Sequence, residues 1–159
     1  MHEPGSDKRF ALKFRQWEKV GEGLRDSDRG QKCWVQLRRR ESFENPVAEC
    51  DSFAEEIGAK PLSDRWAEVD SYTAENLLVR LLGKSLTTNY WFMEPIEARA
   101  TAEHLLDTFQ MPRQVFTNVL SIDENGLTGW NSLTDLTFDA GLVIMDEHWA
   151  GLILVGEAR

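Results

Sequence analysis

The chain is 159 residues long, carries 18 Lys and Arg against 27 Asp and Glu for a net charge of -9, and is 42% hydrophobic. A chain of that size and composition is expected to form one soluble domain that buries its own core without disulfide or metal staples. Its acidity repels phosphate backbones and anionic lipid, which argues against nucleic acid or a membrane surface as the main partner and favours a basic protein.

Residues 1–9 lack the apolar run of a secretory signal, so they are expected to be a flexible N-terminus ahead of a single domain spanning 10–159, in a cytoplasmic protein. The longest apolar stretches, 141–145 and 150–155, fall far short of the roughly 20 residues a membrane helix needs. Cys33 and Cys50 are expected to be reduced and unpaired. Charge is uneven along the chain. The first 40 residues hold 11 bases and 6 acids, and the remainder holds 7 bases and 21 acids, a net -14.

Phe10, Phe14 and Trp17 recur at helical spacing, which predicts a short amphipathic helix ended by Gly21 and Gly23. The stretch 25–30 reads as a polar loop. Cys33, Val35 and Leu37 then alternate with polar residues, predicting a strand over 33–38, and Arg38, Arg39 and Arg40 read as its solvated end. Asn45-Pro46 starts a second helix carrying Val47, Cys50, Phe53, Ala54 and Ile57, with Gly58 as its stop. A third helix, capped by Thr73, presents Leu77, Leu78, Leu81 and Leu82, and is the most apolar helical face in the chain. Residues 90–93 suggest a short strand before Pro95 opens a fourth helix with Ala98, Ala102, Leu105 and Leu106.

From residue 114 the period becomes two-fold. Val115 to Ile122 and Leu127 to Leu133 flank an Asn-Gly turn and read as a hairpin, and 142–145 and 152–155 are two near-continuous apolar strands. Their unbroken apolarity implies cover on both faces. The whole is expected to be an α+β domain in which helices pack on one face of a C-terminal antiparallel β-meander, because the last connections are too short for parallel crossovers.

No nucleophile elbow, cysteine-protease signature, P-loop or dinucleotide fingerprint occurs, and His104 has only one carboxylate, Asp107, at helical spacing that could share a metal with it, short of the paired ligands a zinc helix offers. Catalytic residues, metal and cofactor are therefore not expected. One constellation stands out. Asp123 and Glu124 occupy one predicted turn, Asp146, Glu147, His148 and Trp149 another, Trp130 lies in the same meander, and no Lys or Arg occurs from 114 to 158. Tryptophan among carboxylates is the composition of a hot spot for a basic partner, so these seven residues form the candidate partner-binding set.

Residues 138–146, followed by 150–155, resemble the terminal hairpin of small acidic bacterial immunity proteins, which neutralise polymorphic toxins including those of contact-dependent inhibition systems. The resemblance covers about the last 25 residues and implies an inhibitor that binds a cognate toxin domain without cofactor or catalysis. The chain ends without the acidic tail that many such proteins carry. An acidic secretion chaperone, which would be a stable dimer, and a small enzyme using sheet-borne carboxylates are the alternatives.

Overall fold

The computed structural model describes residues 4–26, 31–40 and 44–158. It shows an α+β domain, with α1 (Pro4–Asp26), β1 (Gln31–Arg39), α2 (Pro46–Glu56), β2 (Ala67–Val69), α3 (Ser71–Gly83) and α4 (Pro95–Leu106) preceding the remaining strands. These are β3 (Gln114–Thr117), β4 (Val119–Asp123), β5 (Gly126–Trp130), β6 (Phe138–Met145) and β7 (Trp149–Glu157). Strands β1-β7-β6-β3-β2, in that spatial order, form a fully antiparallel sheet, and β4 and β5 pair separately. Two strands from the helical part of the sequence thus close both edges of the sheet.

Helix α1 differs from the expectation at both ends. It begins at Pro4, inside the stretch read as a flexible N-terminus, and it runs through Gly21 and Gly23 to Asp26. Each internal glycine costs about 1 kcal/mol of helix propensity, but a Cβ on Gly21 would lie 3.2 Å from that of Val35, so its bare backbone lets the helix seat closely on β1. Packing outweighs propensity here. The polar loop read at 25–30 lies, from Ser27 onward, outside the described residues.

The other helices follow their signals closely. Asn45 accepts the Val47 and Ala48 N–H groups at 3.1 and 3.2 Å, with Pro46 in the first helical turn. For α3 the cap is Asp70, which accepts the Thr73 N–H at 2.8 Å, so the helix starts earlier than a Thr73 cap would allow. Residues 90–93 form no strand beyond an isolated bridge between Trp91 and Lys84.

The expected long hairpin 115–133 is broken at Asn118. Before it, β3 joins the large sheet; after it, β4 turns away to pair with β5 across the turn at 124–125, where Gly126 adopts φ 130°. Asn118 is fully buried, donates to the Asn131 and Asp139 carbonyls, and accepts the Gly141 N–H at 2.8 Å, so its amide bridges the break.

Helices lie on both faces of the sheet rather than on one. On the first face α1, α3 and α4 bring Trp17, Leu77, Leu78, Leu81, Leu82, Ala98 and Leu105 onto Leu142, Ile144, Ile153 and Val155. On the second, α2 and the loop after it bring Cys50, Phe53, Leu62 and Trp66 onto Val143, Met145, Leu152 and Leu154. The double cover is what the unbroken apolarity of β6 and β7 requires, because polar solvent on either side would leave one alternate set of side chains wet. Gly151 lets α1 approach the sheet closely: a Cβ there would fall 2.4 Å from the Trp17 ring.

Leu81 has no exposed surface, and Leu81→Ala should lower stability by about 2–5 kcal/mol in equilibrium denaturation. Cys33 and Cys50 are not joined in a disulfide, and Cys50 is buried in the second core, where loss of solvent and then the charges of Asp51 and Glu49 push its thiol pKa strongly up. Above about pH 8.5 the unfolded chain releases a thiol proton that the folded chain keeps. Stability should therefore fall as pH rises past that value, by up to about 1.4 kcal/mol per pH unit, and Cys50→Ala should remove that part of the slope in urea titrations at pH 8 and 10.

Candidate functional site

The seven residues singled out by sequence fall into two groups. Glu157 at the end of β7 pairs with Phe138 at the start of β6, and its carboxylate accepts the Leu86 N–H at 2.9 Å. Leu86 in turn accepts the Leu127 N–H at 2.7 Å, which fixes the β4–β5 hairpin at that end of the sheet. The β6–β7 turn lies at the other end. Eight residues of β6 separate them, roughly 25 Å at about 3.3 Å per residue. Asp123, Glu124 and Trp130 therefore do not share a face with Asp146, Glu147, His148 and Trp149.

The first group is balanced by the protein's own cations. Arg80 donates to the Asp123 carbonyl. Burial lowers the Arg80 pKa, an effect that Asp123 opposes, and burial followed by repulsion from Arg80 lowers that of Lys84, with Glu124 and Asp123 opposing it. Trp130 is half-buried against Phe138, ring centroids 5.4 Å apart. Nothing gathers these three into an open acidic surface.

At the other end the side chains divide by role. Asp146 is buried, and its carboxylate accepts the His148 and Trp149 N–H groups at 2.9 and 2.8 Å and the Gln110 N–H at 3.0 Å. Its carbonyl accepts from Arg40 at 2.9 Å. It therefore builds the turn and ties it to the segment after α4. Trp149 stacks on Phe10 at 3.5 Å between centroids, with the Arg39 guanidinium 4.5 Å from its ring. It is a packed ring. Glu147 and His148 are the members that face solvent.

The turn adjoins two depressions, of about 370 and 310 Å³, that share Gln110, Asp146 and His148. Met111 and Glu147 line the larger; Asp107 and Lys13 line the smaller. Met111 is 69% exposed, and the side chains of Asp107 and Glu147 are 73% and 85% exposed. Glu103, one turn before Asp107 on α4, is exposed as well. Met111 thus stands beside Glu147, while Asp107, 4.0 Å from the Arg113 guanidinium, lines the adjoining depression with Lys13. Sequence reading missed Asp107 and Met111, since Met111-Pro112 looks only like a helix terminus until the fold sets it beside the turn.

The arginines read as a solvated strand end are also placed differently. Arg38 bridges Glu49 at 3.2 Å and Glu56, and lies 3.8 Å from the Phe53 ring centroid; Arg40 is buried, 3.5 Å from Glu49. Glu49 has no exposed surface. The reason is the register: even-numbered residues of β1 point to the face that α2 covers, and α2 offers its first-turn carboxylate to meet them.

Among the described residues, no group of three His, Cys, Asp or Glu side chains is placed to hold a metal ion, and no helix is long and apolar enough to cross a membrane. No protein-family model, curated protein or solved structure matches the chain.

Because three N–H groups converge on Asp146, Asp146→Ala leaves them without their acceptor. The variant should lose about 1–3 kcal/mol of stability in denaturant titration, and amide exchange should quicken first at Gln110, His148 and Trp149.

Proposed function

We propose that the protein is a cytoplasmic inhibitor of the bacterial immunity type, which neutralises a basic toxin domain by binding it at the surface formed by the β6–β7 turn and the end of α4. The observation that carries this reading is the exposed Met111 beside the exposed carboxylate of Glu147, with Asp107 lining the adjoining depression. An apolar anchor within a charged rim is the arrangement of an interface whose acids steer encounter and whose centre holds the complex. The resemblance of 138–155 to the terminal hairpin of immunity proteins points the same way. Relative to the seven residues read from sequence, the proposed contact keeps Glu147 and His148, assigns Asp146 and Trp149 to building the surface, and leaves out Asp123, Glu124 and Trp130.

Affinity capture from the native host, followed by binding kinetics at two salt concentrations, tests the reading. The captured partner should be basic. Asp107→Lys with Glu147→Lys should lower kon by roughly tenfold at low salt and flatten its salt dependence. Met111→Ala should act mainly on koff, costing about 1–2 kcal/mol. An acidic partner, or a basic one whose two rates ignore all three substitutions, refutes the proposal.

A further inference from the structure

Arg80 is placed unlike the arginines that the fold pairs with carboxylates. Arg38 and Arg40 meet Glu49, and Arg99 meets Glu75. Arg80, half-buried on α3, makes no ion pair among the described residues, and its one hydrogen bond runs from Nη1 to the Asp123 carbonyl. The Asp123 carboxylate is turned to its own hairpin, where it accepts the Asn125 N–H at 2.8 Å. Nε and Nη2 of Arg80 are shielded from solvent and have no acceptor. Those two nitrogens form the side-on edge of the guanidinium, whose parallel N–H groups match the two oxygens of a carboxylate. Burial disfavours the Arg80 cation, and burial followed by the charge of Arg80 disfavours that of Lys84, one turn further on. A buried donor pair in this state costs free energy, and it marks a place for an acceptor that the chain does not itself supply.

Arg80 borders a depression of about 490 Å³ between α3 and β4, within the roughly 300–1,000 Å³ of small-ligand sites. Asn76, Leu77 and Arg80 bring one face of α3 to it, and β4 brings Val119, Leu120 and Ile122. Asn76 gives its Oδ1 to Arg99 at 3.0 Å, which leaves its amide N–H groups as donors one turn from Arg80. Among the described residues that line the depression there is no carboxylate, no glycine and no cation besides Arg80. A dianionic phosphate calls for several cations or a nest of backbone N–H groups. A single guanidinium between apolar walls suits a monoanion with a carbon skeleton.

We propose that this depression binds a small organic acid, its carboxylate received by the Nε and Nη2 edge of Arg80 and its apolar body laid along Leu77, Val119 and Ile122. Arg80 already borders the space, and rotation about the bonds of its long side chain brings that edge into it. In a site screened from water such a pair is stronger than on the surface, and the apolar walls add the burial of the ligand's carbon atoms. Arg80 belongs to the β4–β5 end of the molecule, away from the β6–β7 turn, so the site stands whether or not the reading of the partner surface does.

NMR titration of the full chain with hexanoate and phenylacetate, with the neutral amide of each, and with inorganic phosphate tests this. The acids should move the Arg80 Nε–H resonance and slow its exchange with water. The amides should bind roughly tenfold or more weakly, because they forgo the charge-assisted pair, and phosphate should leave the resonance in place. Arg80→Lys keeps the charge but loses the paired donors, and should weaken binding of the acids by roughly tenfold. The comparison of acid with amide uses the unaltered chain and decides alone if the variant does not fold. Equal affinity for acid and amide, binding of neither, displacement of the acid by phosphate, or undiminished binding by Arg80→Lys overturns the proposal. Tighter binding of an acetylated peptide that ends in a free phenylalanine carboxylate would assign the site to a chain terminus and overturn the small acid as its ligand.

Discussion

The β6–β7 hairpin is buried on both faces, and the rest of the fold answers that constraint. Every residue from Asp139 to Met145 and from Ala150 to Glu157 is buried, so neither alternate set of side chains can be left to water. Burying a Val, Leu or Ile side chain stabilises by about 1.5–3 kcal/mol, and the two strands hold enough of them to dictate three helices above and a fourth below. The neighbours of these strands follow. Strand β1 shields β7 and β3 shields β6, so the most apolar hairpin never forms an edge, and the edges fall to β1, which bears Lys32 and Arg39, and to the three-residue β2. Short or charged edges are how sheets avoid pairing indiscriminately.

The polar groups trapped by that double cover are each given partners. Glu49 meets two guanidinium groups under α2. Asp139, with no exposed surface, accepts the Leu133 and Thr134 N–H groups and the amide of Asn118. Asp146 holds the β6–β7 turn, and Glu157 holds the loop at Leu86. A buried carboxylate without such partners would cost several kcal/mol, so each of these residues works as a fastener between elements distant in sequence. The net acidity of the chain is therefore not the charge of its surface. Glu49, Asp139, Asp146 and Glu157 are occupied inside the protein, and the exposed carboxylates are spread over the surface, with Glu103, Asp107 and Glu147 among them near the end of α4 and the β6–β7 turn.

Much of the secondary structure was legible in the sequence. The Asn45-Pro46 start, the leucine face of α3, the Pro95 start of α4 and the two apolar strands are local signals of capping chemistry and side-chain period, and they survive folding because the tertiary structure uses the same faces. The α+β class with an antiparallel sheet followed from them. Local signals failed where a long-range contact outweighed a local preference. Gly21 and Gly23 stay helical because α1 lies against β1; Asn118 breaks an apparently continuous strand because its amide is needed between β3, Asp139 and Gly141; Arg38 and Arg40 enter the interior because α2 delivers Glu49 to them.

The sequence alone determined which segments carry acid and tryptophan, since composition and alternation are properties of the chain. Only the tertiary structure decided which of those residues meet. Strand register sends alternate side chains to opposite faces, and the length of β6 holds the two acidic turns roughly 25 Å apart, a separation that turn chemistry cannot reveal. The same register buries Asp146 and stacks Trp149 on Phe10, while it sets Met111, which carried no signal of its own, beside Glu147. Residue type is read one position at a time, but exposure and adjacency are sums over contacts between residues far apart in the chain, and those exist only once it has folded.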